Sequence, residues 1–247
     1  MLFLDTYDTY LFDLDGLLIN TESTHCKAYE RTCQKRGYDV KWTFEEYVSM
    51  SHYSSTAVRD YLYTTFPKLQ EEAPDWKTIH AEKTVEVLKL YEEGCVSFMP
   101  GAEEFLRWIL SKGKPVAVVT NSLKSLVDII KIHLPLLNEV PLWITRECYP
   151  NPKPAPDGYL LAYELIGKGK RVVAFEDTPR GVEALLQTAI QPVLISDIIY
   201  PEIVRFQEAG VFHFRSFHEL LRIDHVEQKE PLGESSSSTL HPASSIQ

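Results

Sequence analysis

Short apolar runs alternate with helical patterns along this chain of 247 residues, and the alternation breaks once. The strand candidates are Thr9–Leu14, Pro115–Thr120, Val140–Thr145, Arg171–Glu176, Pro192–Ser196 and Val211–Phe214. Most are rich in valine and isoleucine and nearly free of polar residues, as strands buried on both faces are. Helical patterns fall between them, at Ala102–Ser111, Leu123–His133, Pro156–Ile166, Gly181–Gln187 and Pro201–Glu208. This βαβ alternation predicts an α/β fold, a doubly wound and mostly parallel Rossmann-like sheet. Between the first two strands lie about a hundred residues, where a dozen or so would suffice. They read as four helices: Thr21–Arg36, Phe44–Met50, Thr56–Thr65 and Trp76–Glu93, the last with Val85, Leu88, Leu90 and Tyr91 as its apolar stripe. A helical subdomain inserted after the first strand could act as a lid. The expected division is a core of residues 1–17 and 94–221, an insert of 18–93, and a polar, serine-rich tail of 222–247 expected to be disordered.

Hydrophobic residues make up 44% of the chain, enough for a sizeable core, and the net charge is −10. That charge argues against nucleic acid or an anionic membrane as the main partner, because both select basic surfaces. A small anionic substrate needs only a local positive pocket and stays open. Cys26, Cys33, Cys95 and Cys148 form no C-x-x-C pair and no zinc spacing, so free thiols are expected. The start of the chain lacks the basic and apolar pattern of a signal peptide, and no run has the length of a membrane span. A cytoplasmic location is the expectation.

In sheets of this kind ligands bind outside the carboxyl ends of the strands, so polar residues there carry the functional argument. The first strand ends in Asp13-Leu-Asp15-Gly16. Residues two apart share a face of a strand, and two acids on one face need a cation, a proton or solvent between them. The second strand ends in Thr120-Asn121-Ser122, which reads either as an anion site or as a helix N-cap. Lys153 stands between two prolines before a helix, free to pair with a phosphate or with the strand-one acids, or simply to lie on the surface. Glu176 and Asp177 close the fourth strand; they could complete an oxygen-ligand site of the kind Mg²⁺ prefers, or Asp177 or Thr178 could cap the next helix. Together these residues offer nucleophile, acid/base, hydroxyl, cation and metal-binding acids, the set needed for attack on a phosphoryl group.

The four strand-end segments resemble, in order and spacing, the motifs of the haloacid dehalogenase-like hydrolase superfamily. They are Phe12-Asp-Leu-Asp-Gly-Leu-Leu-Ile-Asn-Thr-Glu22, Val118-Val-Thr-Asn-Ser122, Lys153-Pro-Ala-Pro-Asp157 and Phe175-Glu-Asp-Thr-Pro-Arg-Gly-Val182. The likeness covers about residues 8–221 and fits the subgroup with a helical cap after the first motif, which includes β-phosphoglucomutase-like and phosphoglycolate phosphatase-like enzymes. It implies a Mg²⁺-dependent phosphatase acting on a small phosphorylated metabolite. Asp13 would be the nucleophile and Asp15 the acid/base; Thr120 and Lys153 would hold the phosphoryl oxygens, with Asn121 nearby. Asp13, the carbonyl of Asp15, Glu176 and Asp177 would hold the metal, and His25 would stand at the cap hinge. Asn20 and Asn151-Pro152 depart from the family pattern. The segment Ser51–Ser55 lacks the cap arginine of the mutases, which favours a phosphatase over a phosphomutase. A catalytically idle binding protein is the third reading, disfavoured by the retention of both aspartates. Trp42, His52, Tyr53 and Trp76 are read as cap core before substrate lining.

Overall fold

Every residue of the three central strands is buried, and their side chains sort alternately onto two apolar faces. The computed structural model describes residues 4–53 and 56–226. Six strands, β1 (Thr9–Phe12), β2 (Val116–Val119), β3 (Leu142–Ile144), β4 (Val172–Glu176), β5 (Gln191–Ile195) and β6 (Phe212–Phe214), form one parallel sheet in the order β3-β2-β1-β4-β5-β6. On one face Tyr10, Phe12, Val116, Val118, Val173 and Phe175 join a large cluster. Leu11, Ala117, Val119, Val172 and Ala174 face the other way. Period-two alternation with both faces apolar is what a sheet covered on two sides requires. Phe12 and Phe175, paired in register across β1 and β4, stack with ring centroids 5.0 Å apart.

The insert between β1 and β2 holds five helices: α1 (Glu22–Lys35), α2 (Phe44–Tyr53), α3 (Ala57–Thr65), α4 (Pro67–Glu72) and α5 (Trp76–Glu92). Pairs Arg31–Glu93, Lys35–Glu86 and Arg36–Glu82 run in opposite directions along α1 and α5, so the two helices are antiparallel. Cys26, Tyr29, Cys33, Trp42, Tyr47, Leu62, Leu69 and Ile79 form a separate apolar cluster, with Trp76 packed against it. The feet of α1 and α5, through Ala28, Val87, Leu90 and Tyr91, join the main core instead. The chain crosses between core and insert in a two-stranded seam: Asn20 N–H donates to the Ser97 carbonyl at 2.8 Å and Met99 N–H to that of Leu18 at 2.9 Å.

The core continues with α6 (Ala102–Ser111), α7 (Lys124–His133), α8 (Asp157–Ala162, run on by a π-turn, Tyr163–Gly167), α9 (Pro179–Leu186), α10 (Ile203–Glu208) and α11 (Phe217–Val226). Helices α6, α7 and α11 cover the phenylalanine-rich face of the sheet; α8 and α9 cover the other. Among the described residues no helix is long and apolar enough to cross a membrane.

The structure corrects four sequence expectations. Helix α5 buries Ile79, Lys83, Glu86, Val87, Leu90 and Tyr91, whereas Val85, expected in the stripe, is 48% exposed. Helix α4 was not anticipated; it is short, and its Pro67 sits in the first turn, where proline is tolerated. Helix α11 carries the chain through Arg222 to Val226, because Phe217, Leu220 and Leu221 anchor it in the core. The expected tail beyond it lies outside the described residues. The strands other than β5 are also shorter than expected, β3 and β6 having three residues each.

Candidate active site

β1 lies between β2 and β4, so the segments that leave these strands share one crevice at the carboxyl edge of the sheet. Asp13 continues the β1–β4 ladder for one residue, donating its N–H to the Phe175 carbonyl at 3.0 Å. The chain then turns sharply at Gly16, whose φ of +83° suits glycine. A side chain there would also collide with Asp177, since a Cβ would lie 2.3 Å from its Oδ2.

Lys153 reaches into the crevice from the loop before α8 and is buried. Its Nζ donates to Glu176 Oε1 at 2.7 Å, to the Val119 carbonyl at 2.8 Å and, in a short contact, to Asp13 Oδ1. Tyr159 supports the pair by donating its hydroxyl to Glu176 Oε1 at 2.5 Å. Burial alone would lower the Lys153 pKa, but the carboxylates of Asp13 and Glu176 outweigh it and hold the ammonium above its ordinary range. The surface-lysine alternative is therefore excluded. Gly181 leaves room for this arrangement: a Cβ there would fall 1.9 Å from Glu176 Cδ.

Asp13, Glu176 and Asp177, all buried, can bring one carboxylate oxygen each within 4.8 Å of one another. Burial, with Lys153 opposing and the acids of Glu176 and Asp15 adding, pushes Asp13 up to about 7. Asp177 is raised well above its usual value by burial and then by Asp13 and Glu176. Three buried carboxylates facing one lysine leave excess negative charge, and hard oxygen donors at this spacing suit a small divalent cation. The donor set thus fits the metal that the sequence implies. The capping alternative at this strand end is met by Thr178, whose Oγ1 accepts the Gly181 N–H at 3.3 Å, leaving Asp177 to the cluster.

The Thr120-Asn121-Ser122 segment does not cap α7. The N–H of Lys124, at the start of that helix, is taken by the Glu147 carboxylate at 3.0 and 3.2 Å, and no side chain of the segment caps it. The two hydroxyls turn to Asp15 instead: Thr120 Oγ1 donates to Asp15 Oδ2 at 2.9 Å and Ser122 Oγ to the same atom at 2.7 Å. Asn121 Oδ1 receives the Lys153 N–H at 3.2 Å and lies 2.8 Å from the Tyr149 hydroxyl, which also contacts the Thr120 carbonyl at 2.7 Å. These contacts fix Oδ1 as the oxygen of the amide.

His25 lies one turn into α1, beyond the seam formed by Leu18–Asn20 and Ser97–Met99. Its Nδ1 is 3.0 Å from Nζ of Lys83, a buried lysine of α5 that sequence reading missed. His25 is held well below its usual pKa by burial and by the charges of Lys83 and His80, so Nδ1 accepts from the lysine. Lys83 itself is lowered to about 8 by burial, with Asp15 opposing. It also lies over the Tyr29 ring, 5.3 Å from its centroid. A sequence signal existed: Lys83 is four residues from both Ile79 and Val87, on the buried stripe of α5. Arg59, on α3, pairs with its neighbour Asp60 at 2.8 Å. Trp42 belongs to the insert's apolar cluster and Trp76 packs against it, whereas the side chains of His52 and Tyr53 lie outside those described.

The family model of the haloacid dehalogenase-like hydrolases matches residues 7–187. The chain belongs to that family. It is 26% identical over 190 residues to the protein CbbY of Rhodobacter capsulatus, covering 74% of this chain and 83% of that one. It is 28% identical over 196 residues to a phosphorylated carbohydrates phosphatase of Thermotoga maritima, covering 75% and 83%. The solved structure of CbbY from Rhodobacter sphaeroides with phosphate shares the fold, with a TM-score of 0.66 at 24% identity over 87% of this chain and 96% of that one.

Proposed function

We propose that this member of the hydrolase family is a Mg²⁺-dependent phosphatase that cleaves a small phosphate monoester, a sugar phosphate or similar metabolite, through an aspartyl-phosphate on Asp13. One observation carries the reading: Asp13, Lys153, Glu176 and Asp177, from three separate segments, meet in one buried cluster beside Asp15. Lys153 orients the Asp13 carboxylate and leaves its other oxygen for attack on phosphorus. Asp15 protonates the departing alcohol and then takes a proton from the water that hydrolyses the intermediate. Thr120, buried at the end of β2, and Asn121 beside it would meet phosphoryl oxygens with a hydroxyl and an amide. Held by Asp13, the Asp15 carbonyl, Glu176 and Asp177, Mg²⁺ would supply charge neutralisation for the phosphoryl group. The insert, as a cap, would keep bulk water out and contact the leaving group.

The carbohydrate-phosphate relative supports the substrate class. A second reading, a phosphomutase, gains support from Lys83, a cap cation electrostatically linked to Asp15. Phosphate release from a panel of metabolite phosphates, with Mg²⁺ and with EDTA, tests the proposal. Metal-dependent release is expected. A silent panel together with bisphosphate-activated isomerisation of a sugar phosphate would replace it with the mutase.

A further inference from the structure

Resting on the phosphatase reading, we infer that Ser122 is a positioning residue for proton transfer: it fixes the Asp15 carboxylate by Oδ2 and leaves Oδ1 as the atom that exchanges the proton with the leaving group. Three contacts carry the argument. The Ser122 N–H donates to Thr120 Oγ1 at 2.9 Å, so the Thr120 hydroxyl has its own proton free to give and gives it to Asp15 Oδ2. The Ser122 hydroxyl donates to that same oxygen at 2.7 Å. A proton on Oδ2 would oppose two hydroxyl donors, so a neutral Asp15 carries its proton on Oδ1. Among the described residues no protein group is hydrogen-bonded to Oδ1, although the atom is buried. A buried carboxylate oxygen without a protein partner is the one that a ligand's hydrogen can meet.

The backbone around Asp15 is held independently of these hydroxyls. Gly16 N–H donates to the Ile19 carbonyl at 2.9 Å, and Leu18 N–H to that of Leu14 at 3.0 Å. What the hydroxyls fix is the rotation of the carboxylate. Thr120 cannot hold it throughout the reaction. When its hydroxyl turns to a phosphoryl oxygen, the donation to Asp15 is lost and Ser122 alone keeps Oδ2 in place.

The test uses two esters that differ in their need for a proton. An aliphatic alcohol leaves only with proton transfer, whereas p-nitrophenolate stabilises its own charge. kcat/KM is measured for p-nitrophenyl phosphate and for whichever aliphatic metabolite phosphate the wild type turns over fastest. Ser122→Ala is expected to lose about tenfold or more on the aliphatic ester, the loss of a hydrogen bond to a charged group, and less than about threefold on the aryl ester. Ser122→Thr, which keeps the hydroxyl, should retain the aliphatic rate within about threefold. In an Asp15→Asn background, Ser122→Ala should add no further discrimination between the esters. Equal losses on both esters, no loss on either, or a Ser122→Thr enzyme as selective as Ser122→Ala would overturn the inference while leaving the phosphatase reading intact. A folded, Mg²⁺-supplied wild type that hydrolyses neither ester would overturn both.

Discussion

Lys153 and Lys83 are both buried lysines, one in the core facing Asp13 and Glu176 and one in the helical insert electrostatically linked to Asp15, and their surroundings differ in kind. Lys153 meets two carboxylates, a carbonyl and a phenol, and its ammonium form is strengthened. Lys83 meets one neutral imidazole nitrogen and the face of Tyr29, and burial weakens its charge. The core charge is compensated within the fold itself. Among the described residues, the charge of Lys83 is opposed at a distance by Asp15. A cation held this way stabilises little in the resting protein.

The contrast is most exposed to Lys153→Met. It leaves Asp13 and Glu176 buried and unpaired, a loss of about 3–5 kcal/mol, and should reduce turnover by about a thousandfold. Steady-state kinetics and urea titration would read both effects. Lys83→Met should act in the opposite direction on stability at pH 7, gaining up to about 3 kcal/mol, the ceiling set by a shift from 10.5 to about 8. The sign follows from proton linkage. Below about 8 the lysine is charged in both states and its burial penalty is full. As pH rises from there toward 10.5 the folded protein releases its proton first, so the wild type recovers stability and the variant does not. The difference between wild type and variant should therefore shrink across that range. A Lys83→Met protein as destabilised as Lys153→Met would erase the distinction. Tyr149→Phe should have the smallest effect, about 1 kcal/mol of stability, because it removes one hydroxyl that contacts the Thr120 carbonyl and Asn121 Oδ1. A modest rise in KM should accompany it, since Asp13, Asp15 and Lys153 remain.

The core was largely legible from sequence because its candidate site residues, apart from Lys153 in the loop before α8, stand at or just beyond the end of a buried strand. Asp13, Thr120 and Glu176–Asp177 follow apolar runs whose periodicity fixes direction and edge, and parallel order then brings them together. Ambiguity remained where one residue type serves two purposes. Thr178 caps a helix and Thr120 does not, although both follow strands, because Glu147 from another segment reaches α7 first. The helical insert was less legible. Four of its five helices were expected, but α4 was not, and the buried face of α5 includes a lysine and a glutamate that an apolar stripe drawn through Val85 misses. Glu86 is buried because Lys35 and Lys89 reach it, a pairing between α1 and α5 that hydrophobic pattern alone does not encode. The Ser122–Asp15 contact joins two loops 107 residues apart and is equally invisible to local pattern.

The central claim is that Asp13 is a nucleophile that carries the phosphoryl group. Its most direct test is acid quenching of the enzyme during Mg²⁺-supported turnover of its best substrate, followed by mass spectrometry of the peptide that contains Asp13. The account predicts a phosphorylated Asp13 in the wild type, none in Asp13→Asn, and loss of phosphate release in that variant. Undiminished phosphate release by folded Asp13→Asn would contradict it.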